Sequence, residues 1–144
     1  VLQSVILTKE ERMILTPTYH VFEMFKVHQD ATRLDVDLTT DNYTFEDKSM
    51  PALSASASRD SEGRVHLTLC NSDPNRAVNL SCDLRGLNAS TSSGRILTAN
   101  AITAHNTFDE PNRVEPTEIS SASIDRGLLE IGIPSKSVVA LELN

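Results

Sequence analysis

Apolar and polar side chains alternate one by one through most of the chain after residue 30. Successive side chains of a β-strand point to opposite faces, so this period of two predicts strands with one buried face and one exposed face. Turn-forming residues separate the runs at 60–63, 71–75, 92–94 and 133–135. The apolar positions are Leu34, Val36 and Leu38; Leu53, Ala55 and Ala57; Val65, Leu67 and Leu69; Val78, Leu80 and Cys82; Leu129, Ile131 and Ile133; and Val139, Leu141 and Leu143.

Many short strands at such spacing predict a mainly β fold, an antiparallel sandwich of the jelly-roll kind, over residues 31–144. Segments 40–52 and 105–118 are rich in Asn, Thr, Asp and Pro and are predicted to be its long loops. Cys70 and Cys82 flank the turn at 71–75 on strands expected to pair, so a bridge between them is conceivable. Neighbouring antiparallel strands are poor hosts for a disulfide, which favours free thiols.

Residues 1–30 have a different pattern, typical of mixed α/β structure. Residues 13–15 predict a short buried strand, Thr16 is a good N-cap, and Pro17 suits the first turn of a helix. Apolar side chains at helical spacing then predict a helix over 17–29, and residues 1–7 are compatible with the tail of another helix. A strand and a helix without partners of their own indicate a piece of a neighbouring module, and we expect the chain, which opens at Val1, to be a fragment of a larger protein.

Composition excludes several classes of function. Thirteen basic against 20 acidic side chains give a formal charge of −7, and the absence of a basic cluster argues against nucleic acids and anionic membranes as partners. No apolar run approaches the ~20 residues of a membrane-spanning helix. Neither a nucleophile motif nor a metal-ligand spacing is present, so the residues predict no metal site and no cofactor.

Several motifs resemble α-L-arabinofuranosidases of glycoside hydrolase family 51. The string MILTPTYHVF at 13–22, followed by FKVHQ at 25–29, is similar to the end of that family's catalytic barrel. GRILT at 94–98, NTF at 106–108 and PSKSV at 134–138 resemble its C-terminal sandwich in the same order. The resemblance implies a (β/α)₈ barrel with a sandwich at its side, in a retaining enzyme that releases terminal α-L-arabinofuranosyl groups from arabinan or arabinoxylan. The family includes intracellular and exported enzymes, so the resemblance leaves the compartment of a bacterial parent open.

The resemblance assigns no catalytic residue to this chain, because neither glutamate motif of the family is present; we expect the fragment to be inactive alone. If Arg12–Leu15 is the last barrel strand, Thr16 and Tyr19 are candidates for lining the arabinose pocket, although capping and packing explain them as well. Four apolar helix residues are the expected contacts with the barrel and, without it, an apolar patch for self-association: Phe22, Met24, Phe25 and Val27. The alternative is a stand-alone carbohydrate-binding sandwich, which the absence of Trp and the few aromatics beyond residue 30 disfavour.

Overall fold

The first part of the chain is a β-hairpin followed by a helix. The computed structural model describes residues 4–119 and 121–144. β1 (Ile6–Lys9) pairs antiparallel with β2 (Arg12–Leu15), and α1 (Pro17–Phe25) follows, extended by one 3-10 turn over Lys26–His28. The predicted strand and helix are therefore present, although the α-helical part ends at Phe25. The expected helix tail is wrong for Ile6 and Leu7, which lie in β1; residues 1–3 lie outside the described part.

The remaining strands form two facing sheets and a separate hairpin. The six-stranded sheet has the order β10-β9-β13-β7-β6-β3, the three-stranded sheet the order β11-β12-β8, and β4 pairs with β5 alone. All strand pairs are antiparallel. The bounds are β3 (Thr32–Leu34), β4 (Asn42–Phe45), β5 (Lys48–Pro51), β6 (Leu53–Arg59), β7 (Val65–Asn71), β8 (Val78–Asp83), β9 (Ser92–Leu97), β10 (Thr117–Glu118), β11 (Ala122–Asp125), β12 (Leu128–Ile133) and β13 (Ser137–Leu143).

The main core lies between the two sheets and confirms most of the period-two runs. Its members come from the predicted apolar positions of β6, β7, β12 and β13, joined by Ile96 of β9 and by Ala89. Leu53, Leu69, Leu129, Ile133 and Val139 are at most 1% exposed. Burial of these side chains is the principal stabilising contribution, at about 25 cal/mol per Å² of apolar surface. The mainly β, antiparallel fold predicted from the sequence is thus confirmed.

Four local expectations are wrong. Val36 and Leu38 lie beyond the end of β3, and the predicted loop over 40–52 contains the β4–β5 hairpin. The turn expected at 92–94 is the start of β9. Cys70 and Cys82 lie in different sheets, so the expected pairing of their strands is wrong. Both are free thiols, as the sequence favoured.

Helix α1 covers the outer face of the six-stranded sheet. Met24 is fully buried there and packs with Leu97 of β9 and with Val114. As a result the central strand β7 is buried on both faces, and His66 and Thr68, on its polar face, are 6% and 2% exposed. The alternating sequence predicted one exposed face, because alternation cannot distinguish a solvated polar face from one covered by hydrogen-bonding partners.

Candidate functional site

The junction between β2 and α1 carries the first predicted site residue, Thr16. Its side-chain oxygen accepts a hydrogen bond from the Tyr19 amide at 3.4 Å, the geometry of an N-cap. Its hydroxyl lies within donating distance of two carbonyl oxygens, those of Ser4 at 2.9 Å and Val5 at 3.0 Å. Because these contacts occupy both the proton and an acceptor position, Thr16 ties the hairpin to the helix. Tyr19 is half-buried and packs edge-on against His20, with ring centroids 5.7 Å apart.

A side chain of the sandwich fastens this junction from the other side. Asn106 is 3% exposed, and its amide nitrogen donates to the carbonyl oxygens of Leu15 at 2.9 Å and Val114 at 3.0 Å. Its oxygen accepts from the Val114 amide at 2.7 Å. Nearby, the Arg12 guanidinium lies 5.3 Å from the centre of the Phe108 ring, a cation–π contact. The NTF segment therefore holds the end of β2, a role that the sequence analysis did not assign to it.

The hairpin geometry bears on the expected barrel strand. Strands of a (β/α)₈ barrel pair in parallel with their neighbours. In contrast, Arg12–Leu15 pairs antiparallel with Ile6–Lys9 across a tight turn in which Glu10 has a φ of 54°. The antiparallel partner of Arg12–Leu15 is not the pairing expected inside the barrel, and the placement of Thr16 and Tyr19 at a catalytic mouth stays a prediction.

A buried polar network joins the end of the leader to the six-stranded sheet. The two ring nitrogens of His28 lie 2.6 Å from the Ser58 hydroxyl oxygen and 2.8 Å from that of Thr68. Burial, followed by the neighbouring His66, lowers the pKa of His28. A neutral imidazole has one donor and one acceptor, so it can satisfy both hydroxyl groups. The sequence showed only a histidine on an apolar helix stripe; its partners lie 30 and 40 residues away.

The least exposed carboxylates are engaged in ion pairs. Glu23 contacts Lys26 at 3.1 Å and Arg95 at 2.6 Å, and these hydrogen bonds outweigh burial and lower its pKa. Asp73 is 3% exposed and accepts from two backbone amides and from Arg76, which lowers its pKa as well. A glycosidase acid requires a raised pKa. These carboxylates are therefore structural.

The predicted barrel contacts divide into two groups. Phe22 is 68% exposed, and Phe25 and Val27 are half-buried, so all three have surface to offer a neighbouring module. Met24 differs from the expectation, because the sheet of this chain already encloses it completely. Further apolar surface comes from the hairpin: Met13 is 62% exposed, and Val5, Ile6 and Leu7 are 38–39% exposed.

Two other kinds of site are absent from residues 4–119 and 121–144. The described His, Cys, Asp and Glu side chains form no group of three suited to a metal ion. No described helix has the length and apolarity needed to cross a membrane.

The sequence-family model described as the α-L-arabinofuranosidase C-terminal domain matches residues 1–137. The chain belongs to this domain family. Its members share the sandwich and the leader, because the match begins at residue 1 and takes in the hairpin and α1 as well as the sheets. The resemblance drawn from the motifs is thereby confirmed.

Relatives of this arabinofuranosidase C-terminal domain are several times longer than the chain. The intracellular exo-α-L-arabinofuranosidase of Bacteroides ovatus is 44% identical over 99% of the chain, which spans 28% of that enzyme. The crystal structure of the family 51 arabinofuranosidase of Xanthomonas axonopodis pv. citri superposes with a TM-score of 0.96 at 37% identity, over 99% of this chain and 29% of that one. The α-L-arabinofuranosidase of Thermotoga maritima, at 23% identity and a TM-score of 0.84 over 96% of this chain and 31% of its own, shows the shared fold.

Proposed function

We propose that the chain is the noncatalytic C-terminal part of a longer retaining enzyme that removes terminal α-L-arabinofuranosyl residues from arabinan, arabinoxylan or their oligosaccharides. The match to the Bacteroides ovatus enzyme carries this proposal, since it extends over 99% of the chain but only 28% of the relative. The lowered pKa values of Glu23 and Asp73 argue against either of them as the general acid. Retaining hydrolysis needs two carboxyl groups about 5–5.5 Å apart, one of them with a raised pKa.

The test compares two polypeptides from the same coding sequence. The full-length product should hydrolyse a chromogenic α-L-arabinofuranoside, whereas the 144-residue chain should not. The coding sequence upstream of Val1 should also contain the two glutamates. Arabinoside cleavage by the purified 144-residue chain would contradict the noncatalytic assignment, and an inactive full-length product would contradict the assigned reaction.

Residues 1–30 are proposed as the connection between a catalytic barrel and the sandwich over 31–144. The antiparallel β1–β2 hairpin favours a last barrel strand before Ile6 in this proposal. Thr16 acts as the helix cap in the present chain, and Thr16 and Tyr19 both remain predicted pocket residues. If Tyr19 lines the pocket, Tyr19→Phe in the full-length enzyme should raise KM for the arabinoside; an unchanged KM would leave it a packing role.

The exposed apolar surface of the leader is proposed to face that barrel. This leader surface consists of Val5, Ile6, Leu7, Met13 and Phe22, all more than one-third exposed. The register puts Met13 on the face of Ile6 and opposite to that of Leu7, so both faces of the hairpin carry exposed apolar side chains, as expected of an element that packs against a neighbouring module. In the isolated chain the same surface is expected to drive self-association, at a concentration set by the apolar area that association removes from water.

A further inference from the structure

A cleft of about 410 Å³ lies beside the outer edge of β8. One wall is the segment 39–41, the other is 76–80, and Ala52 and Leu53 lie between them and are 1% exposed. Small-molecule sites commonly have volumes of about 300–1,000 Å³, with an apolar base and a few fixed polar groups. The cleft therefore has the size of a binding site for one or two sugar rings.

Polar groups of the cleft are held in place by the fold. Asp73 accepts from the Nε of Arg76 at 3.0 Å and from the Arg76 amide at 2.9 Å, which fixes the guanidinium against this wall. The hydrogen bond and charge of Asp73, and to a smaller extent the charge of Asp41 on the facing wall, raise the pKa of Arg76. Asn79 lies on the same wall as Arg76. Two carboxylates and one guanidinium leave the cleft with a net charge of −1. Preordered donors and acceptors of this kind suit the hydroxyl groups of a neutral ligand.

An aromatic face continues from the cleft along the β4–β5 hairpin. The Ala52 amide donates to the Asp41 carbonyl at 2.9 Å, so the ladder of the hairpin extends to the cleft wall. By strand alternation, Tyr43 and Met50, which are register partners, share the face of Asp41 and Ala52, as do the next partners on that face, Phe45 and Lys48. Phe45 is 61% and Met50 49% exposed. The opposite face is polar: the hydroxyl oxygens of Thr44 and Ser49 lie 3.3 Å apart.

We propose that the cleft and this aromatic face together bind a neutral oligosaccharide. A sugar ring presents hydroxyl groups at its edge and C–H groups on its faces, which match the polar cleft and the aromatic hairpin, respectively. Anionic ligands are disfavoured by the net charge of −7. Lys48 on the hairpin face offsets the charge of −1 in the cleft, so the local charges add nothing to that preference. A metal ion is disfavoured because the described residues, 4–119 and 121–144, contain no cluster of three ligands. Only the choice of sugar for the test rests on the proposed function.

The test is an amide chemical-shift titration of the 144-residue chain with α-1,5-linked arabinotetraose, xylotetraose and trigalacturonate. We expect saturable shifts at 39–43, 50–53 and 76–80 with one or both neutral sugars, with a Kd of about 1 mM, and weaker binding of the charged one. Loss of one stacked ring in Tyr43→Ala, or of one polar partner in Asn79→Ala, should raise Kd about five- to tenfold. Asn79 is exposed, so its variant should fold even if the hairpin variant does not.

Ser49→Ala is the matched control, because it changes the polar face of the same hairpin and should leave Kd unchanged. Absence of saturation with both neutral sugars, saturable shifts at residues other than these, or tighter binding of trigalacturonate would overturn the proposal. The outcome is separable from the proposed function, since arabinoside hydrolysis by the full-length enzyme is measured independently. An active enzyme with a non-binding cleft would refute only this inference, and a binding cleft in an inactive product would refute only the assigned reaction.

Discussion

The Asn106 side chain provides the sharpest test of how the leader is attached to the sandwich. The substitution Asn106→Ala removes three hydrogen bonds, to the carbonyl oxygen of Leu15 and to the carbonyl oxygen and amide of Val114. Each such bond contributes about 1 kcal/mol net, and the change leaves buried backbone groups unpaired, so we expect a loss of about 3 kcal/mol. For a chain of this size that corresponds to a decrease in Tm of about 10 °C.

The assay is thermal and denaturant unfolding of the chain, with hydrogen exchange of the Val114 amide as a local measure. Asn100→Ala is the matched control, since Asn100 is exposed and precedes the same loop; its Tm should change by less than about 2 °C. Asn106→Asp should be less destabilised at about pH 4 than at about pH 7, because an ionised carboxylate would face two carbonyl oxygens and its pKa would therefore be raised. A Tm of Asn106→Ala within about 2 °C of the unchanged protein would refute the reasoning.

Three further perturbations test other parts of the structure. Gly94→Ala should lower the free energy of unfolding by about 2–3 kcal/mol, because the added Cβ would meet the Cα of Leu141 at 3.0 Å. Denaturant titration measures this loss. A loss below about 1 kcal/mol would show that β9 and β13 can separate to make room for the methyl group. The pKa of His28 is lowered in the folded state, so the unfolded chain binds a proton first as the pH decreases. The free energy of unfolding should therefore fall as the pH decreases through about 6.5, and His28→Gln should reduce that fall. Identical pH profiles of the variant and the unchanged protein would contradict the role of this imidazole. Phe22→Ser should weaken self-association, measured by sedimentation velocity, and should change the free energy of unfolding by less than about 0.5 kcal/mol. Ile102→Ser is the control, since Ile102 has a similar exposure but lies outside the leader surface; it should leave self-association unchanged. Equal effects of the two variants on self-association would refute a specific patch.

Local chemistry was sufficient to predict the strands whose apolar face is long. β6, β7, β12 and β13 each have at least three apolar side chains on the core side. This alternation lies within each strand, so it can be read without knowing which strands pair. The start of α1 was equally readable, because Thr16 and Pro17 each satisfy a condition of the first helical turn. The motifs at 13–29 and 94–138 further indicated the family, which the match over residues 1–137 confirms.

The elements that the sequence missed are one strand that depends on distant partners and one short local hairpin. Ser92, Ser93 and Gly94 have turn-like composition, but they pair with Leu143, Glu142 and Leu141 at the opposite end of the chain. The β4–β5 hairpin has only four residues in each strand, and its apolar side chains lie on one face. The composition of segment 40–52 resembles that of a loop, so the hairpin was not predicted.

The amino-acid sequence alone determined the core strands β6, β7, β12 and β13 and the start of the helix, because those properties follow from spacing and composition over a few neighbouring residues; its motifs indicated the family by resemblance. The tertiary structure decided which polar groups are buried and paired: His28 with Ser58 and Thr68, and Asn106 with Leu15. A buried polar group is stable only with a partner, and that partner lies 30 to 91 residues away. Such distances are set by the packing of the sheets and of α1, so no pattern within a short window of the sequence contains them.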